Sequence, residues 1–191
     1  MTVSDLTEAE LIAHIRSRLP QPPSWVSVGI GDDAAVVKPE RGALQVLTTD
    51  ALVEGVHFDR RYCSLTDIGY RALAVNVSDI AAMGAAPRLA LLSLMLPEGI
   101  GVEDVEALAD GVAMMAAEAA VGIAGGNVTR TSGPLVVDMT VVGAVKPRKF
   151  LTRGGGRPGD IVYVSGSLGA AAAGLDWLRS RQAGPAGVPE D

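Results

Sequence analysis

The chain has 191 residues, enough for one domain or for one domain plus part of a second. Hydrophobic residues make up 48% and aromatics only 4%, so the core has to be built from Ala, Val, Leu, Ile and Met. A net charge of -6 without a basic stripe argues against a nucleic-acid surface, and admits an anionic substrate only through bound cations. Cys63 is the only cysteine, which rules out an intramolecular disulfide and suits a reduced, cytoplasmic setting. The chain opens without a charged and then apolar leader, and no apolar run reaches the about 18 residues of a membrane span. Neither a signal peptide nor a membrane segment is therefore expected.

Taken in order, Thr7 and Glu10 have capping-box spacing, and Leu11, Ile12, Ile15 and Leu19 form one apolar helical stripe. Pro20, Pro22 and Pro23 stop that helix. Residues 25–30 read as a strand, then Gly29-Ile30-Gly31-Asp32-Asp33 as a turn, then 34–37 as a second strand. A third strand over 43–49 ends in Asp50, and 53–58 is an extended segment carrying His57. The Gly-Asp-Asp turn admits two readings. Gly and Asp are ordinary turn formers, yet adjacent carboxylates on a glycine turn also suit a Mg²⁺-nucleotide site.

Ser64 or Thr66 caps a helix running to about Met83, which is apolar from Ala72 onward except for Asn76, Ser78 and Asp79. A helix apolar on every face is a buried helix. A buried, unpaired Asp79 would cost several kcal/mol, so it must face a cation, a donor network or a water-filled cleft. Gly84 and Pro87 end the helix, and 88–96 reads as a buried strand. Residues 102–121 form an amphipathic helix, with Glu103, Asp104, Glu106, Asp110 and Glu118 as its solvated face and its methionines as core filler. Residues 123–130 give a short strand breaking at Gly125-Gly126, followed by Asn127. Residues 135–145 give a long strand with Asp138 on its outward side. The Lys, Arg, Gly and Pro of 146–160 mark a domain boundary. A strand over 161–165 and a helix over 170–181 follow, and the tail 183–191 has too little apolar content to fold alone.

Strands and helices alternate without a regular βαβ period, so the fold class expected is α+β, a mixed sheet with helices packed on it. No GxGxxG opens a helix after the first strand and no Walker A loop occurs, so neither a Rossmann nor a P-loop site is expected.

Several separated segments together resemble the thiamine-monophosphate kinase family, within the aminoimidazole ribonucleotide synthetase-like superfamily. They are Gly29 to Ala35, Thr48-Thr49-Asp50, Glu54-Gly55-Val56-His57-Phe58, the stretch from Ala72 to Gly84 around Asp79, and Leu151-Thr152-Arg153. The resemblance implies ATP-dependent phosphorylation of thiamine monophosphate to the diphosphate in a homodimer whose sheets join into a barrel. It implies residues 1–147 as a Mg/ATP-binding and dimerisation domain and 148–182 as the start of a second α/β domain, while composition leaves 183–191 as a disordered tail. Carried over by position, Asp33, Thr48, Thr49, Asp50, Asp79 and Asn127 would hold several Mg²⁺ ions, with Asp32 a weaker candidate. His57 would contact the thiamine phosphate, and Gly126, Asn127 and Arg153 would contact ATP. No protein nucleophile is expected, since phosphoryl transfer needs alignment and charge neutralisation. The family pattern usually has Asp where this chain has Asn127. That departure favours one alternative, a catalytically impaired Mg-nucleotide-binding or dimerisation module, and another ATP-dependent synthetase of the same superfamily is a second alternative.

Overall fold

The computed structural model describes residues 1–164 and 166–182. It divides into two compact units, Met1–Thr152 and a second beginning at Arg153. The first opens with a 3-10 turn, Val3–Asp5, and helix α1 (Glu8–Arg18). The Thr7 side chain accepts from the Glu10 amide while the Glu10 carboxylate takes the Thr7 N–H at 2.8 Å, closing the capping box that the spacing predicts. A hairpin follows, β1 (Val26–Val28) against β2 (Val36–Val37), with the Gly-Asp-Asp turn between its strands. Arg88 lies 4.5 Å over the Trp25 ring and 3.4 Å from Glu40, which fastens the hairpin to strand β4 (Ala86–Pro97).

The main sheet has strand order β3-β6-β4-β5, with β3 Leu44–Val53, β5 Gly122–Thr131 and β6 Val136–Val145. Strand β6 is antiparallel to both neighbours, and β4 and β5 run parallel. A parallel pair needs a long crossover, and helix α3 (Val102–Ala119) supplies it. Helices α2 (Leu65–Ala82) and α3 cover one face of this mixed sheet, burying Leu52, Leu92, Leu94, Val137, Met139 and Val141. The arrangement is the α+β architecture expected.

Several local expectations change. Ser64, not Thr66, caps α2 through Asp67. Strand β3 runs on to Val53, so Asp50 sits inside it rather than at its end. Gly125-Gly126 does not break β5. Ala90 pairs with Ile123 and Leu91 with Gly125, so Ala124 is an extra residue in a bulge and the strand continues. No strand forms over residues 161–164, and Ser165 lies outside the described residues, as does the tail 183–191. In the second unit a 3-10 turn, Arg153–Gly155, is followed by α4 (Ala170–Gln182).

Helix α2 is not buried on every side. Asn76 is 0% exposed, whereas Ser78 and Asp79 are exposed, because the sheet and α3 cover only part of the helix circumference. The acids of α3 are likewise not all solvated. Glu106 accepts from His14 Nδ1 at 2.5 Å and from Arg18, and Arg18 also reaches Asp110 at 3.4 Å. Tyr70 donates to Glu118 at 2.7 Å. The α2–α3 contact is set by two glycines. A Cβ at Gly69 would lie 2.0 Å from the Leu108 carbonyl oxygen, and one at Gly111 would lie 1.9 Å from that of Thr66.

Gly111→Ala is expected to force the helices apart and lower stability by about 1–3 kcal/mol or more, read by chemical denaturation. Gly42→Ala is not an equivalent control, because Gly42 has positive φ; an exposed surface change such as Ser17→Ala serves instead. A second expectation concerns Glu106, whose carboxyl is held below its ordinary value by the hydrogen bonds from His14 and Arg18. Its stabilising contribution is therefore complete above the ordinary glutamate range and is lost as pH falls through the lowered folded value. Melting temperature should drop below about pH 4.5 in the parent. The part of that drop due to Glu106 should be missing in Glu106→Gln.

Candidate functional site

A cleft of about 800 Å³ opens where α1, the β1–β2 turn and strand β5 meet. Ile30, Gly31, Asp32 and Asp33 form one wall, and Gly125, Gly126, Asn127 and Val128 form the other. Leu92, Leu94 and Ile123 contribute apolar floor, and Ile12, Ile15 and Arg16 of α1 contribute a third side. The turn depends on Gly31, whose φ of +113° is a conformation that L side chains rarely adopt. Asp32 Oδ1 accepts from the Asp33 amide at 2.8 Å, which fixes the two acids relative to each other. Both are exposed. On the opposite wall, Gly126 is required for a different reason: a Cβ there would sit 1.8 Å from the Leu92 carbonyl oxygen. The absence of that side chain lets β5 run flush against β4 and leaves its backbone open at the cleft.

The remaining site residues lie elsewhere on the sheet. Thr48 donates to Asp79 Oδ2 at 2.9 Å, joining β3 to the exposed side of α2. Asp79 thus has a donor partner and is open to solvent, which corrects the expectation of a buried carboxylate. The polar group that is buried is Asn76. Its Nδ2 donates to the Ala72 carbonyl at 3.0 Å, and its Oδ1 has no partner among the described residues. Asp50 is on the same face of β3 as Thr48, because residues two apart on a strand share a face. Thr49 points the other way. Its hydroxyl lies 3.2 Å from both Asp138 Oδ1 and the Met139 carbonyl, and accepts from Thr140 at 3.2 Å.

His57 is exposed in the segment after β3, and Glu54 and Phe58 form an isolated bridge there. Its Nδ1 accepts from the Val53 amide at 3.0 Å, which puts the proton of the neutral ring on Nε2. Arg71 donates to the His57 carbonyl at 2.8 Å. Arg153 begins the second unit and is exposed.

Strand order decides which of these residues meet. Asp50, Met139, Leu92 and Gly126 are successive Cα partners across β3, β6, β4 and β5. Three strand spacings separate Asp50 from Gly126, about 14 Å. The cleft therefore gathers Asp32, Asp33, Gly126 and Asn127, while Thr48, Asp50 and Asp79 gather at the far edge of the sheet. Among the described residues no three His, Cys, Asp or Glu side chains converge on one metal position. The donors are nonetheless of the kind a hard cation takes, all oxygen, with two carboxylates at each location. Arg16 is a cleft residue that sequence reasoning missed. Nothing in the sequence brings α1 to the Gly31 turn, so its local pattern carried no signal.

Three comparisons fit this geometry. Residues 31–145 match the family model described as AIR synthase related protein, N-terminal domain. The thiamine-monophosphate kinase of Bacillus subtilis is 42% identical over 155 residues, covering 81% of this chain and 48% of that protein. The solved structure of the thiamine-monophosphate kinase from Stenotrophomonas maltophilia superposes with a TM-score of 0.79 at 40% identity, over 92% of this chain and 54% of that one. A structure of AaThiL complexed with AMPPCP and TMP superposes with a TM-score of 0.69 at 38% identity, over 95% of this chain and 55% of that one. The chain spans about half the length of the curated relatives it matches. With the matched domain covering the Gly-Asp turn, the sheet and both covering helices, the chain belongs to the AIR synthase-related family, and the relatives it resembles are thiamine-monophosphate kinases.

Proposed function

We propose that this chain carries the nucleotide- and metal-binding half of a thiamine-monophosphate kinase, which transfers the γ-phosphoryl of ATP to thiamine monophosphate. The observation that carries the reading is the cleft between the Gly31 turn and the Gly126 strand. It pairs two exposed carboxylates with an open backbone, and a relative of the same fold is complexed with AMPPCP and TMP. A nucleotide fits it in parts. The apolar floor of Leu92, Leu94 and Ile123 suits a base, and the Gly125-Gly126 backbone admits a phosphate chain without side-chain obstruction.

Asp33 and Asn127 would hold Mg²⁺ on the cleft side, and Thr48, Asp50 and Asp79 on the other; the Thr49 hydroxyl, expected with them, faces the opposite side of the sheet. Bound Mg²⁺ supplies charge neutralisation on the phosphate oxygens and a template for in-line transfer. The chain's own residues orient and bind. Asp32 fixes Asp33 through its amide, Thr48 fixes Asp79, and Val53 fixes the His57 ring with Nε2–H directed outward for a substrate oxygen. By the family pattern alone, Arg153 would offer ATP oxygens a planar fork of donors. No protein nucleophile is needed, because the attacking phosphate oxygen is already ionised. The working unit is a homodimer. Supporting this, apolar residues on the sheet face away from the helices are exposed, Leu47 at 65% and Leu91 at 38%. The organisation proposed is a dimerising N-terminal domain over 1–147, the start of a second domain over 148–182 and a tail over 183–191. No helix among the described residues is long and apolar enough to cross a membrane, and the setting proposed is cytoplasmic.

Asn127 favours one second reading, a Mg-nucleotide-binding module with little turnover, because an amide offers a carbonyl oxygen without the charge of a carboxylate. An assay with thiamine monophosphate, ATP and Mg²⁺ separates the two. Thiamine diphosphate should accumulate, and Asp33→Asn and Asp79→Asn should each lower kcat/KM by about tenfold or more, as expected for losing a charge-assisted contact of about 1.5–3 kcal/mol. Absence of diphosphate from folded protein that still binds Mg-AMPPCP, in both the parent and Asn127→Asp, would leave the binding module.

A further inference from the structure

Helix α1 carries three basic side chains within one and a half turns, and they have different fates. His14 and Arg18 are four residues apart, hence on one side of the helix, and both are engaged by α3 through Glu106 and Asp110. Arg16 lies between them and therefore projects from the other side. It lines the cleft, and its Nη1 lies 3.3 Å from where a Cβ on Gly31 would stand. The guanidinium thus rests on the Gly31 turn, in space that only a glycine leaves. Arg16 has no ion pair among the described residues, although Asp32 and Asp33 follow directly on the turn it covers. It is also the sole Lys or Arg among the described residues lining the cleft, beside three acids, Glu8, Asp32 and Asp33.

We propose that Arg16 makes a direct guanidinium contact to the phosphate chain of the nucleotide bound in the cleft. The inference rests on the kinase reading above for the identity of the nucleotide, but the contact itself requires only an oligophosphate. The chemistry explains the arrangement. A polyphosphate entering beside Asp32 and Asp33 meets like charge, and cations bound by those acids offset it from one side. Arg16 approaches from the helix side, with a planar donor fork matched to two phosphate oxygens. The α3 tether keeps α1 against the domain, so Arg16 is carried on a fixed element rather than a free loop.

Calorimetric titration of the chain with AMPPCP, pyrophosphate and adenosine, each with Mg²⁺ present, tests the contact. Arg16→Gln should weaken AMPPCP and pyrophosphate by tenfold or more, leave adenosine unchanged and keep the parent melting temperature. Arg16→Lys should recover part of the loss, since it keeps the charge and lacks the fork. Unchanged AMPPCP and pyrophosphate affinity in Arg16→Gln would overturn the proposal while leaving the kinase reading standing. An equal loss for adenosine would overturn it in favour of a structural role. Pyrophosphate binding that depends on Arg16, without AMPPCP binding, would uphold the contact and remove the kinase reading. A parent that binds neither would remove both. Should Arg16→Gln melt early, Arg16→Lys decides: no loss for pyrophosphate relative to the parent overturns the proposal.

Discussion

The site depends first on how closely α2 and α3 approach. Two carbonyl oxygens, of Leu108 and Thr66, occupy the places where side chains at Gly69 and Gly111 would begin. That reciprocal contact makes the helix pair thin enough to lie as one layer on the sheet. The layer buries Leu73 and Ile80 of α2 and Val105, Leu108 and Val112 of α3 against Leu94, Leu96, Val137 and Met139. Dense packing of this kind tolerates few volume changes, so the position of α2 over β3 is fixed rather than adjustable. Asp79 then meets Thr48 as a consequence of helix packing, not of any preference of its own.

The polar groups show the same dependence on neighbours. Asn76 and Asp79 are three residues apart, yet one is sealed against the protein and the other is open. Burial costs a carboxylate far more than an amide, and the amide keeps one hydrogen bond, from Nδ2 to the Ala72 carbonyl. The chain therefore places its charge at the rim and its neutral amide inside. Likewise Glu106 and Asp110 serve as anchors for α1 because a second helix reaches them. Without α1 they would be the solvated acids that their spacing suggests.

The sheet separates the motif residues into two groups. Strand order β3-β6-β4-β5 puts the Thr-Thr-Asp segment and the Gly-Gly-Asn segment at opposite edges, on one row but about 14 Å apart. Alternation along β3 divides even adjacent residues, sending Thr48 and Asp50 to the helix side and Thr49 to the other. The candidate oxygen donors are consequently two groups within one chain, one in the cleft and one beside α2.

What the sequence by itself determined is what local chemistry controls. The Thr7–Glu10 capping box, the proline stop after α1, the amphipathic stripe of α3, the Gly31 turn with its paired acids and the alternation along β6 all follow from neighbours a few residues away. The family pattern around Asp33, Asp50 and Asp79 was legible for the same reason. Tertiary structure alone decided the rest. Whether Gly126 ends a strand or lies flush within one depends on the Leu92 backbone, thirty-four residues earlier in the sequence. Whether Asp79 is buried depends on how much of α2 the sheet and α3 cover, and whether Arg16 reaches the cleft depends on α3 holding its two basic neighbours. These are contacts between segments far apart in the chain. Periodicity reports which face of an element is apolar, but it does not report what lies against that face.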